Sequence, residues 1–305
     1  MKRRRGYVLL VTLGLLVMAS TLLVAVGRVA VRHSTDARLA VQASQRRWAF
    51  ESARTAVLPY AAQALATAEE NERRPAPRVR ADVRLGDLAV TLVIADEQAK
   101  ANVNELLRRE PLETAENRIR VALDGTLSRA HVRLRPAPAY LTQATPEIPP
   151  AMHLPPVSGF GQILDDLSPG MLRPSTGDGP TDRLTVWGDG GLNLLRADRS
   201  AMRAVLMPTF TALQVERIVA AREAAFNPRR ESSPLKPMPQ TGDAVAMLLE
   251  RAGAAEAPRA KLALTARSTC HSLTVRLRDG RREWYDTHVL DEADPRRPRR
   301  YGGAW

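Results

Sequence analysis

Hydrophobic and polar positions change their period several times along this 305-residue chain, and each change marks an element. Residues 6–27, GYVLLVTLGLLVMASTLLVAVG, form an uncharged run of 22 between Arg5 and Arg28. A helix of about 20 such residues, each rising ~1.5 Å, spans a bilayer. Beyond Arg28 the apolar positions thin to one stripe at helical spacing: Leu39, Ala43, Phe50, Ala53, Val57 and Ala61. Arg38, Gln42, Arg46 and Arg54 take the opposite face. The pattern predicts a transmembrane helix over 7–27 that continues as an amphipathic helix over 28–65. Pro59 is expected to kink or end it, because proline has no N–H to donate. Residues 66–78 are charged, carry Pro75 and Pro77, and read as a linker.

From Val79 the period drops to two. Val79, Ala81, Val83 and Leu85 alternate with polar residues, and Leu88, Val90, Leu92 and Ile94 alternate again after Gly86-Asp87. Two alternating runs around a Gly-Asp turn predict a β-hairpin, with a helix following, over 79–107. Residues 118–136 fit either a second hairpin around Asp124-Gly125 or part of a small helical insertion. Seven prolines fall between Pro136 and Pro156 and predict an extended connector. A short helix is expected over 158–172, turning at Pro169-Gly170. Together 108–182 reads as a variable insertion with a Pro-rich connector.

Residues 183–251 predict a strand at Leu184–Trp187, a Gly-rich turn at Gly188–Gly191, and a pair of helices over 212–225 and 243–251. Residues 260–292 return to strand character, with a hairpin around Asp279-Gly280. The tail, 293–305, reads as disordered or docked on a partner. The fold class expected is α+β: a long amino-terminal helix packed on an antiparallel sheet, with a small helical domain inserted or appended.

Composition narrows the classes. With 44% apolar and 26% charged residues the chain is neither a disordered polyelectrolyte nor a multispan membrane protein. The net charge is +12, which suits an acidic partner such as nucleic acid or anionic lipid. Only four of the 45 basic residues are Lys, however, and an Arg bias spread along the chain explains the same charge. One cysteine, Cys270, excludes an intrachain disulfide and a four-thiolate metal site, and reads as a small core hydrophobe.

Catalytic patterns are sparse. Asp96 and Glu97 form a carboxylate pair, but no His or nucleophile neighbours them in sequence, so a helix start is the simpler reading. The five histidines show no metal-ligand spacing, and neither a nucleophile elbow nor a phosphate loop occurs. Gly188-Asp189-Gly190-Gly191 lacks the Lys-Ser/Thr of such a loop and reads as a tight turn. The helical pair resembles a helix-hairpin-helix, but its turn, Met207-Pro208-Thr209-Phe210, lacks the glycines that bring backbone N–H groups to phosphate. Asp178 and Asp182 in STGDGPTD are oxygen donors for which Ca²⁺ is possible, a solvated loop being the default. An enzyme is not expected, and no metal or cofactor site is assigned.

The basic leader Lys2-Arg3-Arg4-Arg5-Gly6, followed at once by the apolar helix, resembles the start of a type IV pilin or pseudopilin. The resemblance implies cleavage by prepilin peptidase between Gly6 and Tyr7, leaving Tyr7 as the new amino terminus. Most such proteins then carry Glu at the fifth mature position, and here that position is Val11. Its absence is similar to the K-type minor pseudopilins of type II secretion, the general secretion pathway protein K family. ADEQAKANVNELL, with Asp96, Glu97, Lys100, Asn102 and Asn104, resembles a signature of that type. So do RLTVWGDGGLNLLRAD (183–198) and terminal strands beginning near Ser268. Leu195-Arg196-Ala197 replaces the usual Asn-Thr-Ala, and the inserted domain lacks its usual Asp-Trp and paired-Tyr stretches.

That resemblance implies a pilin-like fold and a structural subunit at or near the pseudopilus tip, supporting protein export across the outer membrane. It implies Gly6 and Tyr7 for processing, Val11 for assembly, and Leu9–Val26 for helix packing. The implied partners are I- and J-type minor pseudopilins, the pseudopilus, prepilin peptidase and the inner membrane, with no nucleic acid. The leader would stay cytoplasmic by the positive-inside rule, placing the remaining chain in the periplasm. Two alternatives stand beside it. One is a membrane-tethered basic nucleic-acid-binding protein, and the other a secreted protein whose signal peptide is cleaved near Gly27.

Overall fold

The computed structural model describes residues 4–86, 88–123, 132–137, 156–165, 179–207, 209–226, 242–254, 262–280, 282–292 and 299–301. The chain divides into two compact units, Met1–Ser52 and Ala53–Trp305.

Helix α1 (Arg4–Val57) carries the first unit and runs on into the second. It contains no proline, and its hydroxyls do not demand water. Thr12 donates to the carbonyl of Val8 (3.1 Å), Ser20 to Val17 (2.9 Å) and Thr21 to Met18 (2.8 Å). Such back-bonding satisfies a polar side chain inside an apolar segment. The segment beginning at Tyr7 is long and apolar enough to cross a membrane, and none of its most apolar stretch is buried.

At Pro59 the backbone tightens into a 3₁₀ turn (Leu58–Tyr60), then resumes as α2 (Ala61–Glu72). The linker expected over 66–78 is therefore helical to Glu72. Its Ala, Leu, Gln and Glu residues favour helix. The helix stops at Arg73, which adopts a left-handed φ of 51°, and Pro75 bars its continuation.

The second unit is built on a five-stranded antiparallel sheet in the order β1-β2-β7-β8-β9. Strands β1 (Arg78–Leu85) and β2 (Leu88–Asp96) form the first hairpin, turning at Gly86 with a φ of +59°. Strands β7 (Cys270–Asp279) and β8 (Arg282–Asp291) form the second. The register of β2 on β7 aligns Val90 with Leu277, Leu92 with Val275 and Ile94 with Leu273. These residues share one face. Helix α2 packs on β2 and β7 there, and the 3₁₀ turn packs on β7 and β8, burying Leu58, Ala61 and Leu65.

On the other face, Cys270 and Val289 join a second, helical core. Helices α3 (Val103–Arg109), α4 (Leu112–Leu123), α6 (Arg199–Leu206), α7 (Ala212–Phe226) and α8 (Gly242–Arg251) supply it, with Ile119, Met202, Leu206, Phe210, Ile218 and Leu248 fully buried. A one-turn helix, α5 (Pro180–Arg183), precedes β4. Two short parallel ladders tie the core together. Strand β3 (Ala101–Asn102) pairs with β4 (Leu184–Thr185), and β5 (Leu192–Asn193) with β6 (Leu264–Thr265). The sheet and these helices make the unit α+β, with α2 packed on the sheet.

Several expectations change here. Residues 118–123 belong to α4, so the first arm of the expected hairpin is helix, and Asp124-Gly125 lie outside the described residues. Ala115, Ile119, Ala122 and Leu123 are buried at helical spacing, which makes this part of the supposed variable insertion core. Residues 133–135 run extended instead and bond to the turn at 162–163 (Arg133 N to Ile163 O, 2.9 Å; Arg135 N to Gln162 O, 2.8 Å). Of the helix expected over 158–172, the described residues 158–165 show one 3₁₀ turn, Phe160–Gln162, where Gly159 and Gly161 flank Phe160 and disfavour helix. Pro169-Gly170 lies outside the described residues. The strand expected at Leu184–Trp187 is limited to Leu184–Thr185. In the tail, Arg299–Tyr301 forms β9 on β8, with Tyr301 opposite Thr287. A ladder bonds main chain to main chain, so a basic segment without apolar alternation can still close a sheet edge.

Candidate functional site

Two regions hold the residues singled out by the sequence. The first is the start of α1. Gly6 lies within the helix, Tyr7 is exposed, and Val11 sits one turn further on with 43% of its surface exposed. From Tyr7 to Gly27 no charge interrupts the helix surface.

The second lies where β2 leaves the sheet. Asp96 caps the 3₁₀ turn Glu97–Ala99, its Oδ1 accepting from Gln98 N at 2.9 Å. Its Oδ2 accepts from Ser268 Oγ (2.5 Å), Asn193 Nδ2 (3.0 Å) and Arg196 Nη1 (3.3 Å). Arg196 also grips Glu69 of α2 through Nε (2.8 Å) and Nη2 (2.9 Å). Glu97 Oε1 accepts from Lys100 Nζ (2.6 Å) and Ser272 Oγ (2.5 Å). Asn102 caps α3 by accepting from Glu105 N (3.1 Å) and donates to the Trp187 carbonyl (2.7 Å). Asn104 donates to the carbonyls of Val157 (2.9 Å) and Val186 (2.8 Å) and accepts from Val157 N (2.8 Å).

The five residues of the Asp-Glu-Lys-Asn-Asn pattern are thus all buried; Asp96, Glu97, Asn102 and Asn104 bind segments remote in sequence, while Lys100 pairs with Glu97. Buried polar groups paired across the fold favour one packing arrangement, although Glu97 Oε2 is buried without a hydrogen-bond partner. Asp96 is 0% exposed and accepts four hydrogen bonds, which leaves it no opening to substrate.

Sequence reasoning found no histidine beside this pair, yet the fold supplies one. His271 stands directly opposite Asp96 in the β2–β7 register and is 1% exposed. Burial holds its pKa below the ordinary histidine range, against the pull of Asp96; Arg196 adds to the lowering, while Glu292 and Glu97 oppose it. Next to it, burial foremost and then the Glu97 charge push the Cys270 thiol far up, so it stays protonated and unreactive. For Arg196, burial is the largest single influence and lowers its pKa. The bonds to Glu69 and the Asp96 charge outweigh it, and the net shift is upward.

Arg196, Glu69 and His271 were missed. Arg196 did leave a signal, a lone cation in the apolar stretch LNLLRA, which calls for a buried partner. Glu69 sits on a helix dense in charge, where nothing marks it out. Of the possible calcium donors, Asp182 Oδ2 accepts from Gly179 N (3.1 Å) and its Oδ1 faces Arg78 (3.2 Å), while Asp178 lies outside the described residues. Among the described residues no group of three or more His, Cys, Asp or Glu could hold a metal ion.

Neither a protein-family model nor a curated protein matches this chain. Among solved structures it is similar to a chain of the GspK-GspI-GspJ complex of the enterotoxigenic Escherichia coli type 2 secretion system. The identity is 14% and the TM-score 0.45, over 87% of this chain and 99% of that one.

Gly188 and Gly190, in the turn between β4 and β5, take φ values of +80° and +88°. A Cβ on Gly190 would stand 2.8 Å from Glu105 Oε2, and one on Gly188 would stand 3.2 Å from the Cβ of Cys270. The glycine-rich turn packs the chain against α3 and β7. Its Asp189 accepts from Gln98 Nε2 at 2.6 Å and from Gly191 N at 2.8 Å.

Proposed function

We propose that this protein is a K-type minor pseudopilin of a type II secretion system, a structural subunit at or near the pseudopilus tip. One observation carries the reading: a basic leader ends at Gly6, an uncovered apolar helix begins at Tyr7, and its fifth residue is Val11 rather than a carboxylate. An exposed apolar surface of this length needs lipid or other apolar helices around it. A helix without an internal carboxylate has no charge to offer the amino terminus of a subunit ahead of it. It therefore suits a position with no subunit ahead.

In this reading Leu9–Val26 packs among the helices of I- and J-type subunits, and the sheet-bearing unit lies in the periplasm. The protein is a scaffold and not an enzyme. The buried Asp96–Arg196–Glu69 contacts are well suited to holding α2 on the sheet while the helix is drawn from the membrane.

The deciding experiment is the mature amino terminus in cells with and without prepilin peptidase. The expected terminus is Tyr7, and only when the peptidase is present. A terminus near Gly27 or Arg28 would overturn the reading in favour of a secretory signal.

A further inference from the structure

A cleft of about 430 Å³ opens beside the buried cluster, where the start of β1, the end of β2, α5 and the first residues of α6 meet. Four cationic residues line it, Arg78, Lys100, Arg183 and Arg199, together with Asp96, Asp182 and Asp198. The acceptors on this wall are committed. Asp96 accepts four bonds, and Asp182 serves Gly179 N and Arg78. Asp198 Oδ1 accepts from Ser200 Oγ (2.8 Å) and Ala201 N (2.6 Å), and its Oδ2 from Arg183 Nη1 (2.9 Å).

The donors are not exhausted. Lys100 is nine-tenths buried and spends one N–H on Glu97, leaving two of the three an ammonium carries. Arg78 meets Asp182 through Nη1 and remains 42% exposed. Arg199 meets Glu216 through Nε at 3.4 Å and remains 56% exposed. A cleft whose carboxylates are already paired and whose cations keep N–H groups to spare takes an acceptor ligand, and a carboxylate offers charge-assisted bonds to them. Its volume, about 430 Å³, lies within the range of pockets that hold small ligands, and so admits one or two acidic side chains of a segment laid across it.

We infer that this cleft binds an acidic segment of a partner protein, whose carboxylates bond to Lys100, Arg78 and Arg199. The site belongs to the sheet-bearing unit alone and is indifferent to whether α1 crosses a membrane.

The test uses the full chain in an uncharged detergent and a fluorescent oligoglutamate peptide followed by anisotropy. Saturable binding is expected, with oligoglutamine failing to bind and added salt weakening the complex. Arg78→Gln and Arg199→Gln should each weaken it by about threefold to tenfold. Arg278→Gln, which removes an equal charge from a residue 61% exposed outside the cleft, should leave it unchanged. Three results would overturn the inference: no saturable binding, equal weakening by Arg278→Gln, or full displacement of the peptide by inorganic phosphate at matched charge. The last would mark a small-anion site. Circular dichroism of each variant separates lost binding from lost folding.

Discussion

Arg196 clasps Glu69 with two parallel N–H···O bonds across 127 residues of sequence, and its third nitrogen reaches Asp96. All three side chains are nine-tenths buried or nearly so. One guanidinium thus joins α2, the end of β2 and the loop after β5. Arg196→Ala would leave two carboxylates buried without their counter-charge, a class of change that costs about 3–5 kcal/mol. Arg196→Lys should recover only part, because an ammonium cannot make the planar fork. Urea unfolding checks both, and a double-mutant cycle with Glu69→Gln should show strong coupling.

His271 makes the fold acid-sensitive. Its pKa is depressed by burial, so the unfolded chain takes up a proton at a higher pH than the folded one does. Stability from this group is complete above the unfolded value of about 6.5 and declines as pH falls below it. The slope tends to about 1.4 kcal/mol per pH unit until the folded form is protonated as well. Asp96 on β2, with Arg196, Glu97 and Glu292, sets the local field. Urea midpoints followed from neutral to acid pH should fall less steeply in His271→Gln than in the parent chain.

Asn104 offers a contrast between shape and chemistry. Its amide satisfies two carbonyls and one N–H from Val157 and Val186. Asn104→Ala should cost about 1–3 kcal/mol for each buried group it orphans, with some relief from water. Asn104→Asp keeps the shape but turns a carboxylate oxygen toward two carbonyls. It should destabilise more than alanine at neutral pH, and less as acid protonates it. Thermal unfolding at two pH values distinguishes the two effects.

Gly190 carries both a left-handed backbone and a close neighbour. Gly190→Ala should cost about 1–3 kcal/mol for the strained φ, with more for displacing Glu105 from Arg109, which it meets at 2.7 Å. Gly86→Ala, at a comparable φ but with nothing near its Cβ, should cost only the backbone part. The difference between the two midpoints measures the clash.

What could be read from the sequence was whatever repeats locally. The 22-residue apolar run, the alternation around Gly86 and the helices near 212–225 and 243–251 each declare themselves within a short window. The boundary at Glu72 did not, because charge on an exposed helix face looks like charge in a linker. Strand β9 was hidden for the opposite reason: its pairing rests on main-chain bonds, which leave no side-chain pattern. The candidate site was half visible. Asp96, Glu97, Lys100, Asn102 and Asn104 stood together in sequence, but Asn193, Arg196, Ser268 and His271 reach them only through β2–β7 pairing and the β5–β6 ladder, and Glu69 through the packing of α2 on the sheet.

Depth along α1 provides the last test. If Tyr7–Gly27 spans a bilayer, Val11 lies near the cytoplasmic boundary and Val17 near the midplane, about 15 Å from Tyr7 at ~1.5 Å per residue. A carboxylate at the centre of a lone transmembrane helix costs about 3 kcal/mol on insertion scales, and less toward either interface. Val17→Glu should therefore strip the chain from carbonate-washed membranes far more than Val11→Glu does, and Val11→Leu not at all. Equal losses would mean that the two positions sit at equal depth, as in a helix lying flat on the surface. Full retention of Val17→Glu would mean that its side chain never meets lipid. The graded result alone fits a helix that enters the membrane near Tyr7 and crosses it.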